Sequence, residues 1–534
     1  MKVTFVAFHR AHRAWGTVLP ASAGLALWVW SLLLFVDRMH GPIEVYDEGI
    51  LLTDANLLLM GKAIYRDFYS NYPPGIFLML AGLWKFTGVA VFAERLCGLV
   101  VHVTICTLVG RLAGRLTSRG FLPWPAGLCG MWMVAIAPVP YAYIAALACA
   151  LLSIELVMRA VASVRGWAWL APGLAFGCVG CLRHDLFVYM CAGLVPVAAV
   201  LGWQSRRALF LTSVRGPTVW TCAGVLAPIL TMWVPTLWRA GFSQVFHDLI
   251  LDQVRFVMPA RVLPLPTLWE FVDAPPFPFG LPAWWASPFP AAVALGLAGP
   301  LFAGTLIVFS KRLRIQGRLL IALLGALSVA VLPQMMGRTD MWHALSIVGP
   351  AFVLVGAIAE APAWRTGLCW LFSALVLVLP VRDALTIPPP QPETEAVDPR
   401  LKRVQGLDPA ERALVAFVDA NTAVGEPVYV GLTDHRQVFV NEMSLYFLTN
   451  RPGATRVMQF DPNVVNREDV QRQMASEIGA RARLLVLSSF MVGYSEPQNE
   501  SVRVGSGYLD QYLQERFELA ARFGRYQVWL RREC

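Results

Sequence analysis

Charge is scarce in this chain. Asp, Glu, Lys and Arg make up 15% of the 534 residues while 57% are hydrophobic, and the mean hydropathy of +0.55 excludes an ordinary soluble protein and implies a polytopic membrane protein. The chain lacks a phosphate-cradling GxxxxGK[ST] and a GxGxxG, so nothing points to ATP-driven transport or to a dinucleotide cofactor. Internal repeats are absent as well. Nine of the ten cysteines lie in or beside apolar segments and only Cys534 sits in a polar tail, so neither a disulfide framework nor a zinc site is implied. The net charge of +9 is spread in small groups between apolar runs and not gathered on one face or tail, which argues against a nucleic-acid partner.

What is present is a regular alternation of apolar runs and arginines. Lys2, Arg10 and Arg13 precede an apolar run from about Leu19 to Val36, long enough to span a bilayer core of about 30 Å. No small-residue cleavage site follows, so this is read as an uncleaved first span with a cytoplasmic N-terminus. The clusters Arg111/Arg115/Arg119, Arg159/Arg165, Arg206/Arg207/Arg215, Lys311/Arg312/Arg314/Arg318 and Arg365 all fall on the inside when about eleven spans are drawn and the C-terminus lies outside. That count leaves Pro73 to Phe92, interrupted by Trp84-Lys85, as an interfacial or re-entrant helix. The expected fold class is thus a polytopic α-helical membrane protein with a small α/β soluble domain. A multispan domain covers 1–386, with its first external loop at 37–93; a proline-rich linker covers 387–398; an external α/β domain covers 399–534. In that last domain the pattern predicts helices near 410–420 and 469–478, strands near 428–430 and 483–487, and a final hairpin ending near Leu530. A loop from Arg239 to about Ser287 carries an amphipathic stretch near 245–257 and reads as a lid.

The stretch most concentrated in chemistry runs from Tyr46-Asp47-Glu48-Gly49 to Asp67 and Tyr72-Pro73-Pro74-Gly75. Adjacent carboxylates beside a span are costly, roughly 3 kcal/mol each at the bilayer centre, and are functional candidates by default. Gly49 to Met60 reads as a helix on the membrane surface, with Thr53, Asp54 and Asn56 on its polar side and Gly61 as its stop. Asp47 at its start has an ordinary reading as an N-cap, which does not explain Glu48. The prolines predict a helix beginning at Pro74-Gly75 whose leading amides face outward and suit a phosphate.

An Asp-Glu after the first span, a surface helix ending in Gly, an Asp shortly before Pro-Pro, and an Arg opening the next true span resemble the GT-C polyprenyl-phosphate-sugar glycosyltransferases. That family holds the protein O-mannosyltransferases and the lipid A aminoarabinose transferase. The resemblance covers mainly residues 40–115 and, more loosely, the multispan body. It implies that Asp47 is the catalytic carboxylate with Glu48 assisting, and that Arg95 lies near the donor phosphate. The residue before Pro-Pro is often Lys or His in that family and here is Tyr72, so other cations must substitute. The chemistry needs such parts on its own account: a carboxylate to accept the acceptor's proton, and cations or amides to hold the departing phosphate. Alternatively, Asp47 and Glu48 hold a divalent cation, Mg²⁺ or Mn²⁺.

Two further groups reach the same external face by this topology: Arg183 with Asp185, and Arg338 with Asp340 and His343. Each reads either as an internal ion pair or as a phosphate contact. The expected function is transfer of a sugar from a polyprenyl-phosphate donor to a lipid, glycan or protein acceptor. The expected site is the outer face of a bacterial-type inner membrane, with inversion implied by the resemblance. A lipid or polysaccharide transporter is the rival, disfavoured because the ionisable residues gather at span ends and not within spans. A non-catalytic envelope scaffold is the third reading.

Overall fold

The computed structural model describes residues 22–117, 120–134, 137–163, 165–204, 209–261, 315–337, 349–354, 398–492 and 504–532. Arg338, Asp340 and His343, the basic cluster 311–314 and residues 387–397 of the proline-rich linker lie outside them. The chain forms two compact units.

The first unit takes residues 1–39, 96–229 and 265–389. Its helices include 22–38, Pro123–Met133, Ala142–Val161, Leu170–Leu182 and Ile315–Gly337. Among the described residues of the whole chain, four helical stretches are long and apolar enough to cross a bilayer: Val91–Leu116, Ala142–Val161, Gly216–Ala240 and Gln316–Pro333. Without a hydrophobic drive between helices in lipid, close backbone approach through small residues becomes the packing device. Gly173 and Gly177 illustrate it, since a Cβ at either would stand 2.4 Å from the carbonyl oxygens of Thr221 and Val225 respectively. Glu155, 1% exposed, receives the guanidinium groups of Arg111, Arg115 and Arg159 at 3.1, 2.6 and 3.0 Å. Arginines read from sequence as two separate clusters thus meet at one carboxylate. Cys178 and Cys181 have a CxxC spacing within the apolar Leu170–Leu182 helix, and both are free thiols.

The second unit is drawn from three stretches, 40–95, 230–264 and 390–534. The C-terminal stretch supplies a four-stranded sheet of order β1-β2-β4-β3: Tyr429–Leu432, Leu484–Ser488, Tyr526–Arg531 and Phe517–Phe523. β1 and β2 are parallel with Val430 opposite Val486, and β2, β4 and β3 run antiparallel. These strands and the helices Pro409–Asn421 and Glu468–Arg481 coincide with the sequence pattern. The first of those helices opens on a capping box in which Asp408 accepts from the Glu411 amide and Glu411 returns to the Asp408 amide.

The sheet does not close its core alone. Tyr69, 1% exposed, packs among Tyr429, Phe460, Leu485 and Phe517, and its amide donates to the Arg456 carbonyl at 2.8 Å. The helix Asp47–Leu59 packs between Gly75–Thr87 and Ser444–Thr449. It ends at Gly61 in the left-handed region, φ +83°, as expected of a glycine stop. Its setting corrects the sequence reading, because the side expected to be polar and outward is buried too. The Thr53 hydroxyl donates to the Met443 carbonyl at 2.9 Å and the Asn56 amide to Asn450 at 3.1 Å. Gly49 admits the neighbouring helix so closely that a Cβ would lie 2.5 Å from the Ser444 nitrogen. Gly75–Thr87 is a short apolar helix, too short at about 1.5 Å per residue to cross a bilayer core.

Candidate active site

The two adjacent acids part company at the start of the Asp47–Leu59 helix. Asp47 is exposed and Glu48 is wholly buried. Glu48 is clasped by Arg95, itself 0% exposed, through Nε to Oε1 at 2.7 Å and Nη2 to Oε2 at 3.0 Å. The same guanidinium donates to the Gly41 and Pro42 carbonyls at 2.6 and 2.7 Å. Glu48 Oε2 also accepts from the Glu44 amide at 2.7 Å. Arg95 therefore serves the backbone and Glu48 in this structure and presents no open face to a phosphate, which corrects the position expected of it. Glu48 is equally committed, with both carboxylate oxygens engaged by Arg95 and the Glu44 amide.

The N-cap explanation of Asp47 fails as well. The capping position belongs to Tyr46, which makes no side-chain cap bond. The leading amides are served instead by Glu44, whose carboxylate accepts from Tyr46 at 3.0 Å and from Glu48 at 3.0 Å. Part of the Glu44 side chain reaches solvent, but its carboxyl folds back over the helix start. Desolvation there, with the charge of Asp47 beside it, pushes Glu44 up to about 7.

Next to these acids the second unit gathers a buried polar group that sequence did not single out. Arg261 Nη2 donates to Asp461 Oδ1 at 2.7 Å and to the Tyr46 hydroxyl at 3.2 Å. Its guanidinium lies 5.7 Å from the Tyr46 ring centroid and 5.9 Å from that of Phe439. Tyr46 donates to the Phe460 carbonyl at 2.8 Å, and Asn71 and Gln459 donate to Asp461 Oδ2 at 3.2 and 3.1 Å. Burial raises the Asp461 pKa while Arg261 and the Tyr46 hydroxyl hold it down. Burial would also discharge Arg261, but Tyr46, Asp461 and Asp47 together keep it protonated. Asp47 thus acts electrostatically on Arg261, Asp461, Tyr46 and Glu44, and Tyr72 acts on Arg261. The tyrosine standing where a cation was expected has a cation beside it.

The remaining expected residues are dispersed. Asp67 is gripped by Arg66 at 2.9 and 2.8 Å and by the Ala63 amide at 2.7 Å, and the Arg66 hydrogen bonds hold it below the usual carboxylate range. It lines a cavity of about 340 Å³ with Lys62, Arg456, Glu477 and Arg481, reached also by Leu57 at the far end of the helix from Asp47. Pro74 precedes the Gly75–Thr87 helix as expected, but Pro74, Gly75, Ile76 and Phe77 are buried, so the first turn is not the open amide cradle the sequence suggested. Arg183 makes a two-point pair with Asp185 at 2.8 and 2.6 Å, which is the internal-pair reading of that motif.

No protein-family model and no curated protein sequence matches the chain. Solved structures do share its fold. ArnT from Cupriavidus metallidurans bound to undecaprenyl phosphate superposes with a TM-score of 0.53 at 13% identity, over 96% of this chain and 97% of ArnT. The apo state of the same protein gives 0.50 at 14% identity, over 97% and 98%. Over nearly its whole length, the chain is similar in fold to ArnT.

Proposed function

We propose that this chain is a membrane glycosyltransferase that moves a sugar from a polyprenyl-phosphate donor to an acceptor hydroxyl. In this reading the chain crosses a bacterial-type inner membrane about eleven times, with the N-terminus cytoplasmic and residues 399–534 on the outer side. The observation that carries the proposal is the division of labour at the helix start. Glu48 is committed to Arg95, whereas Asp47 remains exposed near a half-buried, protonated Arg261. The fold shared with ArnT, a protein crystallised with undecaprenyl phosphate, supports a lipid-phosphate donor.

The residues map onto the reaction as follows. The acceptor oxygen attacks the sugar carbon, its proton passes to the Asp47 carboxylate, and the bond from that carbon to the phosphate oxygen breaks with its electron pair on the phosphate, inverting the carbon. A positioned base contributes a factor of about 10² to 10⁴. Arg261 stabilises the charge developing on the phosphate, and Asp461, Tyr46 and Phe439 hold it in position. Arg261 then takes the part that Tyr72 cannot.

Mass spectrometry of envelope lipids, glycans and proteins from cells with and without the gene identifies the product, and complementation with variants tests the assignment. Asp47→Asn should abolish product while the purified protein melts close to wild type, because Asp47 is an exposed first-turn residue and not the N-cap of its helix. Normal product from Asp47→Asn, with loss from Asp67→Asn, would transfer the role to Asp67.

A further inference from the structure

The segment carrying Arg261 leaves α-helical geometry before it arrives there. After Phe242–Phe246 come two consecutive π-helical turns, His247–Leu251 and Gln253–Val257, and then Met258–Arg261. In an α-helix, residues five apart point about 140° away from each other; π turns bring them together and recur at functional sites. His247 and Asp252 are brought together in this way. His247 Nδ1 lies 3.3 Å from Asp252 Oδ2 and 3.9 Å from Asp248 Oδ1. One ligand atom from each of the three residues falls within 4.8 Å of the others.

A second observation asks for a cation there. Asp252 is only 6% exposed, and its Oδ1 is buried with no hydrogen-bond partner among the described residues. A buried carboxylate oxygen without a partner is unfavourable unless a proton or a cation meets it. Asp248, 0% exposed, is by contrast held from behind. Gln244 donates to its Oδ1 at 2.9 Å, and Arg456 donates to Oδ2 at 2.7 Å while also gripping the Tyr65 carbonyl at 3.0 Å. Outer partners of this kind orient metal-ligating carboxylates. His247 closes the group from the solvent side, with 53% of its side chain exposed.

We propose that His247, Asp248 and Asp252 form a Zn²⁺ site. One imidazole nitrogen with two carboxylate oxygens and an open position suits zinc, whose bonds of about 2.0–2.2 Å set a tetrahedral edge of about 3.3–3.5 Å. The separations of 3.3 and 3.9 Å already approach that edge. The site fixes the π-helical segment nine residues before Arg261, so bound zinc positions that cation without touching substrate. The proposal does not depend on the reaction assigned above, and its test reads metal directly.

The full-length protein in detergent is stripped with EDTA, dialysed into metal-free buffer and titrated with Zn²⁺, Mn²⁺ and Mg²⁺ by calorimetry, with elemental analysis of the protein as purified. One zinc per chain is expected, bound more tightly than Mn²⁺ or Mg²⁺. Asp252→Asn, which is isosteric, and His247→Ala, at an exposed position, should each weaken zinc at least ten-fold and abolish the rise in melting temperature on adding zinc. Zinc binding unchanged in both variants would mean an adventitious surface site and overturns the proposal. So would a wild-type protein that binds no zinc, in which Asp252 simply holds a proton.

Discussion

Arg95→Met separates two roles for a residue that the sequence assigned to the donor. Arg95 and Glu48 are both 0% exposed and joined at 2.7 and 3.0 Å. Removing one partner of such a pair leaves an uncompensated buried charge, at a cost of roughly 3–5 kcal/mol. The carbonyls of Gly41 and Pro42 lose their donor as well, so the upper part of that range is the relevant one. At roughly 2–4 °C per kcal/mol for a unit of about this size, the melting temperature should fall by about 8–20 °C. Intrinsic tryptophan fluorescence of the detergent-purified protein during a thermal ramp reads this directly. Glu48→Met combined with Arg95→Met removes both charges and should melt above the single variant, because the destabilisation belongs to the orphaned carboxylate. A single variant that melts within about 2 °C of wild type while losing activity would refute the reasoning and return Arg95 to the phosphate.

Gly49→Ala gains helix propensity, about 1 kcal/mol, yet its Cβ would meet the Ser444 backbone nitrogen at 2.5 Å; overpacking of about 1–3 kcal/mol should dominate and lower the melting temperature, and an unchanged or raised value would show that the helices can separate freely. Glu44→Gln carries a pH signature. Since Glu44 sits near 7 in the folded protein against an ordinary 4.5, the native state binds its proton more tightly than the unfolded chain, and its contribution to stability falls as pH rises between those values. The gain in melting temperature of Glu44→Gln over wild type should therefore be larger at pH 8 than at pH 5; an equal difference at both would contradict the assignment. Glu155→Gln leaves Arg111, Arg115 and Arg159 without their shared charge, and a loss of at least several degrees is expected by the same thermal assay.

Local signals carried much of the architecture. Pro409–Asn421 was legible from its period, Gly61 from its position after an apolar run, and the closing hairpin from its alternation. What stayed hidden depended on partners far away in sequence. Thr53, Asp54 and Asn56 look solvent-facing in isolation, because Met443 and Asn450, which bury two of them, stand about 390 residues on. Glu48 and Arg95 are 47 residues apart with no pattern linking them. Glu44 was in plain view beside Asp47, three residues ahead, and only the fold-back of its carboxyl distinguishes it. Arg261 and Asp461 had no sequence signal at all; each is one charge in an ordinary context, given meaning by the other.

The burial of the Asp47–Leu59 helix by C-terminal chain has a consequence for the order in which the protein matures. Residues 40–95 leave the ribosome early, but the Met443 carbonyl that receives Thr53 and the sheet that receives Tyr69 are made much later. Contacts of such separation form late and slowly. Until they form, the helix carries Thr53, Asp54 and Asn56 without their final surroundings. A ribosome stalled before residue 398 holds every acid of the helix start together with Arg95, but neither the Ser444–Thr449 helix that covers Asp47–Leu59 nor the Asp461 that pairs with Arg261, so completion of the candidate site waits until synthesis is nearly finished.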